Sequence, residues 1–337
     1  MKAIAIFNNK GGVGKTTLLC NLAAYLQKKK KKKILVIDAD PQCNTTTYVL
    51  DEEQFARIYY EEKAQCFTIA DIVPPLEEGT GYLQSYQVTR SVYFGFDVIP
   101  GNPRFAVCED FLASEWKDVK SSDLRGIKST LLFTHFLTLC NEYDYVFFDM
   151  GPSLGAINRS ILLACDYFIT PLSSDVFSLL ALDNIGKSIA SWATTFNKGT
   201  SELDSRKKYV LQDMCHSCHI KFLGYIEQQY ITKSIGGTAR AVRAYDEILK
   251  KIPNEIDEKI IKPINCDIEM DYKIGSIPNY YSLVPMSQTA HKPIFDLTNI
   301  DGVVGAHYQK VKDYGSLMDK ISERLLQNER TLNYGLA

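Results

Sequence analysis

Apolar residues in this chain occur in short runs, separated by longer stretches with the spacing of amphipathic helices. Two of these helical stretches are Asp123–Asn141 and Ser178–Phe196. The alternation predicts an α/β fold with a doubly wound, mostly parallel sheet, and a ligand at the carboxyl ends of its strands. The runs that predict buried strands are Ala3–Phe7, Ile34–Ile37, Val98–Ile99, Tyr145–Phe148, Tyr167–Thr170 and Phe222–Ile226, with Tyr272–Ile277 as a further candidate.

The chain carries no internal repeat and no long linker rich in Gly, Ser or Pro, so we expect one domain over residues 1–337. The segment of about residues 50–87 begins with acidic residues and is interrupted by Pro74 and Pro75, which predicts a peripheral insertion. Apolar residues at helical spacing predict a closing helix over about Tyr314–Gln327.

Composition narrows the classes of protein that this chain can represent. Lys and Arg total 38 against 40 Asp and Glu, so any contact with a polyanion must be local. Nine scattered cysteines are typical of free thiols in a reducing compartment. The apolar N-terminus leads directly into a glycine-rich loop, which argues against a signal peptide. No apolar run reaches the roughly 18 residues of a membrane span, and we therefore expect a cytoplasmic protein.

The segment Asn8–Thr17 lies between the first predicted strand and the first predicted helix. Its glycines let successive main-chain N–H groups converge on phosphate oxygens, and the helix N-terminus adds positive potential. Lys15 is suited to reach the β- and γ-phosphates, and the Thr16 hydroxyl to ligate Mg²⁺. The pattern therefore predicts a site for a nucleoside triphosphate. The residues expected to hold the nucleotide there are Gly11, Gly12, Val13, Gly14, Lys15, Thr16 and Thr17.

Two features of this loop call for comparison with other glycine motifs. The usual phosphate loop has a glycine where this chain has Asn9. A dinucleotide fingerprint is the alternative, since Gly12 and Gly14 supply two of its glycines and Asp38 its ribose-binding acid. Its third glycine is replaced by Thr17, however, and that motif has no use for Lys15 followed by a threonine. The phosphate loop is the favoured interpretation.

The lysine at the loop entrance, Lys10, makes the loop similar to the deviant Walker A motif of the ParA/MinD-type partition and positioning ATPases. The segment Lys33–Gln42, a strand ending in Asp-x-Asp-Pro-Gln, resembles the second motif of that family. The segment Tyr143–Gly155 resembles its Walker B strand and the switch loop that follows. Gly151 stands where the family usually has proline, which predicts a looser loop. Two further segments, Val98–Asn102 and Pro285–Phe295, resemble the branch that partitions plasmids and chromosomes.

The resemblance implies a role for each polar residue. Thr16 and Asp149 would place Mg²⁺, Asp38 would support the water shell of the metal, and Asp40 would orient the attacking water. Lys10 would reach the triphosphate of a second copy, so that two ATP molecules lie between two chains and dimerisation depends on ATP. The alternatives are a helix cap or solvated turn for Asp38 and Asp40, and an ordinary surface lysine for Lys10.

The position of the base follows from the resemblance alone. In related proteins adenine meets two late loops, which correspond here to Glu227–Tyr230 and Ile277–Asn279. Gln229 and Pro278 are the candidates for adenine contact. The preference for ATP over GTP also depends on the resemblance.

Two basic groups are candidates for DNA contact. The run Lys28–Lys33 closes the first predicted helix and is read either as a solvated helix end or as a grip on DNA or an acidic membrane. A second group follows the predicted adenine loop. Because the partition branch binds nonspecific DNA through its C-terminal half, the resemblance favours Lys233, Arg240 and Arg243.

The segment Cys215–His219 satisfies the pattern of c-type haem attachment, which is at odds with the absence of an export signal. Cys215 and Cys218 also suggest an iron–sulfur or metal carrier, although two cysteines do not complete a four-ligand site. Incidental thiols are the favoured interpretation. The C-terminus lacks a basic amphipathic segment, so we expect a packed helix with a frayed tail and no stable membrane anchor.

The resemblance as a whole implies a slow ATP hydrolase that dimerises on ATP and binds nonspecific DNA. A centromere-binding, ParB-like partner would stimulate hydrolysis, and the cycle would partition a plasmid or chromosome at the nucleoid in the cytoplasm. Because the chain begins at its first strand, no N-terminal helix-turn-helix is expected. The alternatives are the iron–sulfur carrier and a positioning or regulatory ATPase whose cargo is a protein assembly, a membrane patch or the effector of a defence system.

Overall fold

The computed structural model describes residues 1–61, 66–173, 175–211, 217–230, 239–264 and 268–334. Eight strands within these residues form one sheet in the order β3-β4-β2-β5-β1-β6-β7-β8. Every adjacent pair is parallel except β3 with β4. The strands are β1 Lys2–Ile6, β2 Ile34–Asp38, β3 Thr89–Arg90, β4 Asp97–Ile99, β5 Tyr145–Asp149, β6 Tyr167–Ser173, β7 Lys221–Tyr230 and β8 Lys273–Pro278.

The predicted fold class, a doubly wound and mostly parallel α/β sheet, is confirmed. All seven predicted runs form strands. Only β3 was not predicted, because its two residues are too few to show a period and it pairs antiparallel at the sheet edge.

Helices cover both faces of the sheet, and short 3₁₀ turns and one π turn (Asp257–Ile261) join them. The helices are α1 Lys15–Lys28, α2 Asn44–Val49, α3 Glu52–Tyr59, α4 Pro74–Glu77, α5 Cys108–Lys120, α6 Leu124–Thr130, α7 Leu132–Leu139, α8 Ala156–Ala164, α9 Val176–Ser201, α10 Ser205–Val210, α11 Ala239–Ile256, α12 Leu283–Thr289 and α13 His307–Tyr334.

Three helix predictions need correction. The single helix expected over Asp123–Asn141 is two helices, α6 and α7, which meet at Leu131. The closing helix α13 extends well beyond both ends of the predicted Tyr314–Gln327. The prediction was too short because the outer turns are mostly polar and carry a weaker apolar period. Most of the lysine run lies outside the first helix, since α1 ends at Lys28 and Lys31 has a left-handed backbone.

The last helix, α13, ties the sheet to α1. Tyr25 of α1 donates to Asp319 at 3.0 Å, and Tyr145 of β5 donates to Glu329 at 3.1 Å. Tyr167 of β6 donates to Asn333 at 2.6 Å. The bonds from Tyr145 and Tyr167 join α13 to the first residues of β5 and β6, at the amino ends of these strands. The assignment of the whole chain to one domain stays a prediction.

The central strands β1, β2 and β5 are buried on both faces, as expected of parallel strands covered by helices on each side. The strand order reverses at β1, the switch point of the sheet: β2 and β5 lie on one side of β1, and β6, β7 and β8 lie on the other. In register, Asp149 of β5 is paired with Ile6 on one side and Asp38 on the other. The ends of these three strands therefore bring the glycine loop and two acidic residues to one point of the sheet. Among the described residues, no helix is long and apolar enough to cross a membrane.

Candidate active site

The glycine loop between β1 and α1 has the conformation that a phosphate cradle requires. Gly12 and Gly14 have φ angles of 72° and 77°, in the left-handed region that favours glycine. A Cβ atom at Gly14 would lie 2.6 Å from Oε1 of Gln228, whose Nε2 donates to the carbonyl oxygen of Gly14 at 3.2 Å. The loop is therefore closed against the end of β7, and α1 begins immediately after it.

Lys15 lies across this loop. Its Nζ atom donates to the carbonyl oxygens of Asn8 and Lys10, each at 3.2 Å. Burial lowers the pKa of Lys15, and the carboxylates of Asp149 and Asp40 partly offset that effect. The arrangement places a nearly buried cation at the position where a bound triphosphate would bring negative charge.

The carboxylate of Asp149 is oriented by two hydroxyl groups. Thr16 Oγ1 and Thr45 Oγ1 each donate to Asp149 Oδ2 at 2.7 Å. The other oxygen, Oδ1, is buried and has no hydrogen-bond partner among the described residues. Burial raises the pKa of Asp149 to about 6, although the two threonine bonds act in the opposite direction.

Asp38 lies beside Asp149 and has a similar arrangement. Its Oδ2 accepts from the backbone N–H of Thr46 at 2.8 Å and from the Thr46 hydroxyl at 2.6 Å. Its Oδ1 is also buried without a partner in the described part of the chain. Burial, followed by the charge of Asp149, raises the pKa of Asp38 to about 8. Asp38 accepts from the first turn of α2, so the helix-cap interpretation agrees with its contacts as well.

These donors fit Mg²⁺. The cation prefers oxygen ligands, and the site offers a threonine hydroxyl together with two buried carboxylate oxygens that accept no hydrogen bond from any described residue. A divalent cation would also favour the ionised form of both acids, whose pKa values are raised by burial.

Asp40 lies at the mouth of the site, two residues after Asp38. Its Oδ1 accepts from the backbone N–H of Gln42 at 3.0 Å, so Asp40 also stabilises its own turn. A Cβ atom at Gly151 would lie 3.2 Å from this oxygen. The switch loop and Asp40 are therefore in close approach.

A cavity of about 690 Å³ opens above the glycine loop. Sequence reasoning missed the residues of α2 and of the segment after β8 that line it. Asn44 and Thr47 follow the second motif closely, which was an available signal. His291 lies in Pro285–Phe295, which the resemblance marked, but its contact with the cavity depends on packing, since its Nδ1 lies 3.3 Å from the carbonyl oxygen of Tyr48 across 243 residues. The lining residues are Gly11, Gly12, Gly14, Lys15, Thr16, Thr17, Asp40, Gln42, Asn44, Thr47, Tyr48, Pro152, Gln288, Thr289 and His291.

Lys10 does not line this cavity. Its ammonium group forms an ion pair with Asp175, and both side chains are 31% exposed. Asp175 also caps α9, since its Oδ1 accepts from the backbone N–H of Ser178 at 3.1 Å. Burial acts to raise the pKa of Asp175, but the hydrogen bond and charge of Lys10, together with the bonds from Ser178, outweigh it and the pKa is lowered.

The two residues predicted to contact adenine stay predictions. The backbone of Gln229 belongs to β7, but its side chain lies outside the described residues. Its neighbour Gln228 is the residue that contacts the glycine loop. Pro278 ends β8, pairs in register with Tyr230, and does not line the cavity.

Of the predicted DNA contacts, Arg240 and Arg243 lie in the first turns of α11, and their side chains are not among those described. Lys233 lies outside the described residues. In the lysine run, Lys28 pairs with Asp296 at 2.5 Å and Lys30 with Asp319 at 2.8 Å. This pairing agrees with a solvated surface rather than a free basic patch.

The cysteine pair yields no metal site in the described part of the chain. Cys218 is buried, and its backbone N–H donates to Asn197 at 2.8 Å. Cys215 lies outside the described residues. No group of three or more His, Cys, Asp or Glu able to hold a metal is found among the residues that were described.

The chain has recognisable relatives. The family described as AAA domain (AAA_31) matches residues 1–201. The chromosome partitioning protein ParA of Myxococcus xanthus is 30% identical over 189 residues, which are 56% of this chain and 58% of that protein. A virulence plasmid ParA family protein of Chlamydia psittaci is 28% identical over 193 residues, covering 55% of this chain and 62% of that protein. The matched part of the chain thus spans less than two thirds of these relatives.

Solved structures are similar over most of the chain. A Corynebacterium diphtheriae protein has 29% sequence identity and a TM-score of 0.66, covering 86% of this chain and 97% of that one. A plasmid partition protein of Borrelia burgdorferi bound to AMPPNP has 21% identity and a TM-score of 0.59, covering 97% and 98%. An ATP complex of Cyanothece McdA has 16% identity and a TM-score of 0.59, covering 96% of each. The last two show likeness of fold alone.

The glycine loop lies at the switch point of a parallel sheet, and Thr16 beside it is hydrogen-bonded to Asp149 at the end of β5. These features define a P-loop nucleotide-binding protein. The chain belongs to the AAA_31 family, and within it is a ParA/MinD-type P-loop ATPase.

Proposed function

We propose that this protein binds ATP with Mg²⁺ and hydrolyses ATP to ADP and phosphate. The observation that supports this most directly is the bond from Thr16 to Asp149 beside the glycine loop. It joins a hydroxyl suited to bind a metal to a buried carboxylate whose other oxygen has no hydrogen-bond partner in the described part of the chain. Thr16 and Asp149 would hold Mg²⁺, and Asp38 would support its water shell. The bound cation would neutralise charge on the phosphates.

The protein's own residues have distinct tasks in this scheme. The loop amides and Lys15 hold the phosphates, and Lys15 stabilises charge that develops during transfer to water. Asp40, at the cavity mouth, orients the water that attacks the terminal phosphorus. Asp40 lines the same cavity as Lys15 and Thr16, which supports this role.

Lys10 completes the site of a second copy in our proposal. Its ammonium group lies outside its own cavity, where it binds a partly exposed carboxylate. Two chains that face each other across two ATP molecules would exchange these lysines, as the resemblance to the family implies. Dimerisation then requires ATP, and hydrolysis separates the copies.

The test of this engine is Lys10→Ala, with Lys32→Ala as the control. Both remove one lysine, but no ion pair of Lys32 is found within the described residues. We expect Lys10→Ala to abolish ATP-dependent dimerisation in sedimentation velocity and to lower kcat by about 10³-fold, while Lys32→Ala retains both. Dimerisation and turnover that survive in Lys10→Ala would refute the proposal.

We further propose that the ATP-bound dimer binds nonspecific DNA through Arg240, Arg243 and Lys233. The first two are three residues apart in α11 and so lie on one helix face. The paired lysines of the run after α1 make that run the weaker candidate. A centromere-binding, ParB-like partner that stimulates hydrolysis would then move plasmid or chromosome DNA over the nucleoid in the cytoplasm.

DNA retention tests this second proposal. A double variant, Arg240→Ala with Arg243→Ala, is compared with the charge-matched control Lys29→Ala with Lys32→Ala. We expect the arginine variant to lose ATP-dependent retention of labelled DNA and to show a shallower salt dependence, since each lost phosphate contact lowers the slope by about one. Equal retention in ADP and ATP would contradict the proposed cycle.

A further inference from the structure

The loop Gly151–Gly155, between β5 and α8, is held from inside by a single buried amide. Nδ2 of Asn158 donates to the carbonyl oxygen of Gly151 at 2.8 Å and to that of Ser153 at 2.7 Å. Asn158 is only 2% exposed. The carbonyl oxygen of Gly151 is buried and needs a donor, and the same side chain supplies one to it and to the more exposed Ser153 of the same loop.

The first of these two points faces the reacting centre. A Cβ atom placed on Gly151 would lie 3.2 Å from Oδ1 and 3.4 Å from Cγ of Asp40. The backbone of Gly151 therefore forms one wall of the space that the Asp40 carboxylate occupies. The same oxygen also accepts a hydrogen bond from the backbone N–H of Gln42 at 3.0 Å. Movement of Gly151 would change the freedom of Asp40 directly.

The helix that carries Asn158 is itself fixed. The Glu109 carboxylate of α5 caps the start of α8, where it accepts from the backbone N–H groups of Ala156 and of Ile157, the latter at 3.0 Å. Arg159 donates to the carbonyl oxygen of Leu112 at 3.1 Å, and its guanidinium lies 4.3 Å from the ring centroid of Trp116. Asn158 thus acts from a rigid support.

We propose that Asn158 is a positioning residue for Asp40, acting through Gly151. The inference rests on the proposed ATP hydrolysis. The glycine at position 151 leads sequence reasoning to expect a loose loop, but the Asn158 amide supplies the restraint that a proline would give. Because Gly151 has no side chain, the Asp40 carboxylate can lie close to its backbone, and Asn158 fixes the position of that backbone.

The chain provides a matched control. Asn328 is 3% exposed, and its Nδ2 donates to the carbonyl oxygens of Leu223 and Asp271 at 3.0 and 3.1 Å, away from the site. Asn158→Ala and Asn328→Ala each remove one buried and one part-buried hydrogen bond to a backbone carbonyl, so both should lower Tm by about a few degrees. Only Asn158→Ala should lower kcat, by about tenfold or more, with the KM for ATP unchanged.

A second measurement does not depend on turnover. Hydrogen–deuterium exchange over residues 150–158 of the nucleotide-free protein should be faster in Asn158→Ala and unchanged in Asn328→Ala. Equal losses of kcat in both variants, or unchanged exchange in Asn158→Ala, would overturn the role of Asn158. Absence of hydrolysis in the wild-type protein would overturn the proposed function, and this role with it, and would be recognised before any variant is compared.

Discussion

If the protein dimerises as proposed, the ion pair between Lys10 and Asp175 adds an energetic cost to dimerisation that a single substitution can remove. If Lys10 must leave Asp175 to reach the triphosphate of a second copy, each dimer breaks two such pairs. Asp175→Asn removes the ion pair but keeps the cap of α9, because asparagine is as good an N-cap as aspartate. We therefore expect the ATP-bound dimer of Asp175→Asn to be tighter than that of the wild type.

The size of the effect follows from the exposure of the pair. Both side chains are 31% exposed, and pairs of this kind contribute about 0.2–1 kcal/mol. Two pairs per dimer then correspond to a dissociation constant lowered by roughly 2- to 30-fold. Sedimentation equilibrium with a non-hydrolysable ATP analogue measures this change.

The control for this experiment is Asp183→Asn in the same helix. Asp183 pairs with Lys187 at 2.7 Å, so its replacement removes an ion pair of α9 that does not involve Lys10. We expect no change in the dimer constant for Asp183→Asn. A dimer of Asp175→Asn that is as weak as the wild type, or weaker, would refute the view that Asp175 competes for Lys10.

Two further predictions concern the glycine loop and the buried acids. Gly14→Ala places a Cβ 2.6 Å from Gln228 at a left-handed φ, so nucleotide binding in equilibrium dialysis should be lost, and retained affinity would show that the loop tolerates a shift. Asp38 has a pKa of about 8 in the folded protein against 3.8 as its ordinary value, so the folded state binds more protons between these limits and stability falls as pH rises through them. Asp38→Asn should therefore raise the free energy of unfolding of the nucleotide-free protein at pH 7.5 by on the order of several kcal/mol, which a higher Tm would report. The gain should shrink toward pH 4. A lower Tm of Asp38→Asn at pH 7.5 would contradict the assignment.

The sequence predicts the parts of the site that are local. Asp38 and Asp149 are the last residues of buried strands, and Asn8–Thr17 and Asp40 come shortly after such strands. Parallel strands bring these ends to one edge of the sheet. Periodicity therefore predicts both the fold and the meeting of these segments.

The remaining contacts depend on tertiary packing, which no local pattern encodes. The partner of Lys10 lies 165 residues away, and His291 meets Tyr48 across 243 residues. Asn158 has the appearance of an ordinary helix residue until the carbonyl groups of the preceding loop are seen to turn toward it. The break at Leu131, between α6 and α7, likewise lies within a continuous apolar pattern.

The bonds from Lys15 to two carbonyl groups of its own loop have a consequence for ligand capture. A loop that its own lysine holds through two hydrogen bonds loses little chain entropy when it binds a ligand. Arrival of a triphosphate then exchanges one pair of lysine contacts for another instead of folding a floppy segment. The receptor is preorganised, and we expect the shape of its backbone to be nearly the same before and after capture.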